Sequence, residues 1–215
     1  MNRNVELKTD DGIKIAGDYY PASGDRGIVL LHMMPADRTS WATFAEKLQT
    51  AGFQALAIDL RGHGASQGGP DGYKNFSDAE HQASRSDVVA AADFLKSKGV
   101  AKIFLAGASI GANLALEYAA AHSDARAVIL LSPGFDYRGV TTEGLIARLA
   151  PEQGVYAAAS EEDSYSADSV RRIFEHIQPG PGRMTKFFHD AGHGTAIFDR
   201  DPALTDEFVS WLGHF

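Results

Sequence analysis

The chain has 215 residues, 44% hydrophobic and 22% charged, a composition that suits one globular domain, residues 1–215, with a sizeable core. A formal net charge of −8 without any cluster of Lys and Arg argues against nucleic acid as a partner, because such binding rests on clustered cations. Nothing approaches the ~18 uninterrupted apolar residues of a membrane span, and the absence of cysteine removes disulfides, thiolate metal sites and a cysteine nucleophile.

The opening MNRNVELKTDDGIK has no apolar leader core, so a cytoplasmic location is expected; a mature form with its leader trimmed would read the same. VELKT (5–9) and KIAGDYY (14–20), parted by Asp10-Asp11-Gly12, predict an antiparallel hairpin. Six near-continuous apolar runs follow: GIVLLHM (27–33), FQALAIDL (53–60), KIFLAGA (102–108), AVILLS (127–132), VYAAAS (155–160) and KFFHDA (186–191). They lack clean alternation, as strands buried on both faces should. Helical stretches lie between and after them, at 40–52, around 80–98, at 110–122, at 166–177 and at 202–215. In 166–177 the apolar Val170, Ile173, Phe174 and Ile177 recur at helical spacing. Such alternation calls for an α/β fold, a mostly parallel sheet with helices on both faces.

The segment LAGASIGANLAL (105–116) carries Gly107-Ala108-Ser109-Ile110-Gly111 between a predicted strand and a predicted helix. Small residues two positions either side of the serine allow a sharp turn that projects Ser109 Oγ at the carboxyl edge of the sheet. The helix N-terminus there favours negative charge developing on a substrate. A serine hydroxyl is a weak nucleophile; it needs a base, and the base needs an orienting acid. Among eight histidines, His193 stands just past the last predicted strand with Gly192 and Gly194 beside it, whereas His63 in DLRGHGAS precedes the serine and reads as structural. For the acid, Asp163 follows the run VYAAAS, and Asp136 in SPGFDY is the rival. Asp190 lies too near His193 in sequence to turn back onto it.

The order Ser109, Asp163, His193, with DLRGHGAS and a strand ending at His32, resembles the α/β-hydrolases over essentially the whole chain. The resemblance implies an eight-stranded, mostly parallel sheet without a large cap domain, a serine-histidine-acid triad, and an oxyanion hole of two backbone N–H groups. By position the donors are Ile110, after the nucleophile, and Met34, with Met33 the alternative. Two departures stand out: Met33 replaces the glycine of the usual His-Gly-X, and Ser160 replaces the glycine of G-x-x-D.

Between Pro133 and Gly154 there is room for one short helix and a turn, which favours an open cleft of dienelactone-hydrolase size. Phe135, Tyr137, Leu145, Ile146 and Leu149 are the candidate pocket wall. His32-Met33-Met34 does not read as a metal site, since adjacent residues at a strand end point in alternating directions. No metal and no cofactor is expected. The function this predicts is hydrolysis of small or short-chain carboxylic esters. Thioesterase, perhydrolase or small-peptidase activity on the same scaffold is the alternative, and a non-catalytic binding member is the reading from another class.

Overall fold

A computed structural model describes residues 2–175 and 182–215. Its ten strands are β1 Arg3–Lys8, β2 Lys14–Tyr20, β3 Arg26–Leu31, β4 Gln54–Ile58, β5 Lys102–Ala108, β6 Ala125–Leu131, β7 Asp136–Tyr137, β8 Val140–Thr141, β9 Gly154–Ser160 and β10 Arg183–Phe188. Its helices are α1 Ala42–Thr50, α2 Asp78–Gln82, α3 Arg85–Ser97, α4 Ile110–Ala121, α5 Ser164–Phe174, α6 Ile197–Arg200 and α7 Ala203–Leu212. Eight strands form one sheet in the order β1-β2-β4-β3-β5-β6-β9-β10. β1 and β2 pair antiparallel, β2 meets β4 antiparallel, and every later pairing is parallel.

The apolar runs fold this way because alternate residues of a strand face opposite sides of the sheet, and both sides are covered. Val29 and Leu31 pack with Val88, Leu95 and Leu114 of α3 and α4, whereas Ile28 and Leu30 pack with Phe44, Leu48 and Phe208 of α1 and α7. Strand order reverses at β3, which has β4 on one side and β5 on the other. Such a switch opens a crevice beyond the carboxyl ends of the strands.

Three sequence expectations are corrected in detail. The helix expected around 80–98 is broken at Ala83-Ser84 into α2, opened by a Ser77/Glu80 capping box, and α3. The expected short helix after β6 is instead the small antiparallel hairpin β7–β8 followed by a 3-10 turn at Ile146–Arg148. Leu145 and Leu149 are core residues packed with the α3/α4 layer, because the hairpin folds back over α4. The helix expected at 166–177 is present as α5, with Ile177 outside the described residues.

The DLRGHGAS segment is structural. The buried Asp59 carboxylate accepts the Ala65 N–H at 2.7 Å and the Arg38 N–H at 2.8 Å, and pairs with the Arg38 guanidinium. Gly64, at φ +47°, lies so close to Asp59 that a Cβ there would stand 2.1 Å from Oδ2. Arg61 donates from Nε and Nη2 to Asp87 Oδ1 at 2.9 and 2.7 Å and from Nη1 to Asp11 Oδ2 at 2.6 Å, tying the loop to α3 and to the first hairpin.

His63 is buried, stacked on Tyr73 at 4.0 Å between ring centroids, and 4.8 Å from the ring of His32. Burial, reinforced by the neighbouring His32, pushes His63 down to about 4. In the unfolded chain it returns to an ordinary histidine value, so the unfolded state binds the extra proton between those two values. Stability is therefore full above about pH 6.5 and is lost as pH falls toward 4. Urea unfolding at pH 7 and pH 4.5 should show His63→Phe losing about 2 kcal/mol less than the parent between the two conditions; equal losses would contradict this account.

Candidate active site

β5 ends at Ala108 and α4 begins at Ile110, leaving Ser109 alone at the turn with φ 55° and ψ −123°. A non-glycine residue in such a conformation costs on the order of 1–3 kcal/mol and persists only where its surroundings dictate it. A Cβ on Gly107 would stand 2.1 Å from the Gly111 carbonyl oxygen, and one on Gly111 would stand 2.4 Å from that of Leu31. The two glycines thus let β5, α4 and the end of β3 converge, while the Ser109 N–H donates to Leu131 O at 2.9 Å. Ser109 is largely buried at the mouth of the crevice.

His193 and Asp163 meet there. His193 Nδ1 lies 2.6 Å from Asp163 Oδ2, and the imidazole is 37% exposed, open enough to meet a substrate. Asp163 precedes α5 by one residue. Burial alone would raise its carboxyl, but hydrogen bonds from His193 and Ser166 outweigh burial and hold it below the usual carboxylate value. The rival Asp136 is exposed on the β7–β8 hairpin, where its Oδ1 accepts the Gly139 N–H at 2.7 Å. Its side chain caps that turn and does not take part in the His193 pair.

The turn bearing His193 is held amide by amide. Glu162 accepts the N–H groups of Asp190 at 2.8 Å and Gly192 at 2.6 Å, Ser160 Oγ accepts that of Ala191 at 2.8 Å, and Ser132 Oγ accepts that of Gly194 at 2.9 Å. Hydrogen bonds from Ser160 and the Gly192 N–H carry Glu162 down to about 2. Ser160, the departure from G-x-x-D, therefore places its hydroxyl where a glycine would leave an amide without a partner. Sequence reasoning did not find Glu162, Ser160 or Ser132 in this role. Their only local signal was polarity at the ends of apolar runs.

His32 aims the loop after β3. Its Nε2 accepts the Leu60 N–H at 2.9 Å, so the neutral ring carries its proton on Nδ1 and donates to the Met33 carbonyl at 2.9 Å. Complete burial lowers its pKa and favours that neutral form. In a trans peptide the carbonyl and the following N–H are antiparallel, so the Met34 N–H points away from His32. Among the described residues neither the Met34 nor the Ile110 N–H has a protein acceptor. The two methionine side chains part to opposite core layers, Met33 beside α1 and α7 and Met34 beside α3 and α4. Met33 fills the space over Gly194: a Cβ on that glycine, itself at φ +59°, would stand 2.5 Å from Met33 Sδ.

A recess of about 640 Å³ beside the histidine turn is walled by Met33, Phe44, Thr195 and Phe198; a second recess, of about 440 Å³, is walled by Phe135, Ile146, Arg172 and Ile173. Of the five predicted wall residues, Phe135 and Ile146 line the second recess, and Tyr137 stands beside His193 at 6.4 Å between ring centroids. No group of three or more metal-ligating side chains occurs among the described residues, and no helix there is long and apolar enough to cross a membrane.

This sheet, with its serine turn at the β3/β5 switch, is that of the α/β-hydrolases. A dienelactone hydrolase from Anabaena variabilis is similar, with 21% identity and a TM-score of 0.80 over 100% of this chain and 98% of that one. An esterase from Pyrococcus furiosus shares 18% identity, with a TM-score of 0.79 over 100% and 93% of the respective chains. A protein of unknown function from Agrobacterium tumefaciens gives 18% identity and a TM-score of 0.78 over 98% and 95%. Among curated protein sequences nothing matches. The sequence model of the family described as serine aminopeptidase, S33, matches residues 23–190, and the chain belongs to this family of α/β hydrolases.

Replacing Glu162 with alanine removes the acceptor of the Asp190 and Gly192 amides while leaving the sheet intact. Hydrogen exchange should accelerate at residues 190–194 and stay unchanged in β5 and β6. Unchanged exchange at 190–194 would show that the turn does not depend on this carboxylate.

Proposed function

We propose that the protein is a serine-dependent hydrolase of small carboxylic esters that works through an acyl-enzyme. The observation that carries this reading is the Asp163–His193 pair, closed at 2.6 Å at the sheet edge where Ser109 is held at φ 55°. Ser109 Oγ attacks the ester carbonyl while His193 Nε2 takes its proton and passes it to the departing alcohol. Water then attacks the acyl-enzyme, giving its proton to His193, and Ser109 is released with that proton. Asp163 keeps the imidazole in the Nδ1–H tautomer and stabilises the imidazolium. The Ile110 and Met34 N–H groups, without other acceptors, receive the tetrahedral oxyanion. The reaction calls for no cofactor and no metal.

The family description and the presence of esterases among the structural neighbours support hydrolysis. The short β7–β8 insertion leaves the cleft open, which suits small esters and not an interfacial lipid substrate.

Ser109→Ala should lower hydrolysis of p-nitrophenyl acetate by at least about a thousandfold. A variant keeping most of its activity would remove Ser109 from the mechanism. A panel of p-nitrophenyl esters, acyl-CoA thioesters and aminoacyl amides should show esters cleaved fastest; faster cleavage of the amides would favour the peptidase reading.

A further inference from the structure

The mechanism above leaves one hydroxyl at the site unused, that of Tyr137. The β7–β8 hairpin that carries it turns at Arg138-Gly139, both at positive φ, 56° and 77°. It is fastened directly to the helix that follows Ser109. Asn113, fully buried in α4, donates from Nδ2 to Val140 O at 2.7 Å and accepts the Gly134 N–H at 3.1 Å. The Tyr165 hydroxyl accepts the Asp136 N–H at 2.9 Å and donates to the Asp136 carbonyl at 2.8 Å. So anchored, the Tyr137 ring stands edge-on to the His193 imidazole, with the planes 86° apart.

Its hydroxyl oxygen lies 3.1 Å from Ser166 Oγ and 3.4 Å from the Ser132 carbonyl oxygen, with the Ser109 hydroxyl as a further hydrogen-bonding neighbour. Ser166 is fully buried and hydrogen-bonds the Asp163 carboxylate. The hydroxyls of Tyr137 and Ser166 thus lie between Ser109 and Asp163, beside the Asp163–His193 pair. The Ser166 proton has two acceptors, the Ser132 carbonyl at 3.4 Å and the Asp163 carboxylate, neither of which can donate. Given to either, it leaves a Ser166 lone pair for the Tyr137 O–H at 3.1 Å.

Building on the serine mechanism proposed above, we infer that Tyr137 is a catalytic residue whose O–H turns from Ser166 to Ser109 Oγ when that oxygen carries negative charge. This occurs twice per turnover: as Oγ loses its proton to His193 during attack, and as Oγ departs from the acyl carbon before His193 returns the proton. No proton leaves Tyr137; one hydrogen bond is exchanged for a stronger, charge-assisted one. Because Oγ is neutral in the resting enzyme and charged only as the bonds change, the gain falls on the transition state and appears in kcat. Burial raises the phenol above its ordinary value, so it keeps its proton throughout the working range.

Tyr137→Phe keeps the ring that packs against His193 and Tyr165 and removes the hydroxyl alone. The rate at which a fluorophosphonate labels Ser109, followed by intact mass, measures the nucleophile independently of any substrate; kcat and KM for p-nitrophenyl acetate measure turnover. In Tyr137→Phe both the labelling rate and kcat should fall about tenfold, with KM within about twofold. Ser166→Ala removes only the resting acceptor, so its labelling should run at the parental rate or faster, and the double variant should be as slow as Tyr137→Phe, because the Ser166 effect acts through the Tyr137 hydroxyl. Labelling at the parental rate in Tyr137→Phe, or a loss carried by KM alone, overturns the proposal. Should Tyr137→Phe not fold, labelling of Ser166→Ala clearly slower than that of the parent overturns it equally. A parent protein that is not labelled at Ser109 at all removes the serine mechanism itself, and the role of Tyr137 with it; a labelled parent with an unaffected Tyr137→Phe removes only the latter.

Discussion

The arrangement of this molecule depends on a near-contact of three backbones. The Gly111 Cα sits where any side-chain carbon would collide with the Leu31 and His32 carbonyl oxygens, and Gly107 sits equally close to Gly111. Because no Cβ intervenes, the first turn of α4 lies directly against the end of β3, and the residue between strand and helix must take a conformation that L-residues avoid. The same approach sets the Ile110 amide beside the loop of Met33 and Met34. Attractive interactions alone would not achieve this; absent atoms permit it, and burial of α4 between β3, β5 and β6 maintains it.

Much of this was legible in the chain. Strands buried on both faces betray themselves by unbroken apolar runs, and all eight strands of the main sheet were found within a few residues of their ends. G-x-S-x-G between a strand and a helix is legible because it is local: the glycines are needed within four residues of one another. The pairing of Asp163 with His193 rested on chain order and on their places after successive strands, which the parallel sheet brings to one edge. The partners that hold the site were not legible. Ser132, Ser160 and Glu162 each act on an amide some thirty to sixty residues away, and no periodicity records such a pairing. The β7–β8 hairpin was missed because two-residue strands carry no alternation, although Arg138-Gly139 is a fair turn signal. Leu145 and Leu149 were misplaced for the complementary reason. An apolar residue in an insertion looks the same whether it faces a substrate or a helix.

The two departures from the family pattern are explained by what their side chains touch. At position 160 the hydroxyl replaces nothing sterically and supplies an acceptor to the histidine turn. At position 33 the thioether occupies the volume above Gly194, so the loop that presents the Met34 amide and the turn that presents His193 are in contact. Methionine suits that place because its unbranched chain fills irregular space. His32 completes the arrangement by fixing the peptide that follows it. A buried histidine near a catalytic centre invites a chemical role; here both ring nitrogens are spent on the backbone.

The histidine turn has a consequence for how the molecule is built. Its amides are satisfied by side chains rooted at the ends of β6 and β9, and the strand leading into it, β10, lies at the edge of the sheet and is only half covered. No short stretch of chain contains the means of shaping residues 190–194; they acquire their form only when distant segments have already docked, and closing such loops is slow. The imidazole is consequently the last component whose position the fold determines and the first that fraying of the β10 edge releases. In the hydrolase proposed above, activity would follow this border of the sheet before the stability of its centre.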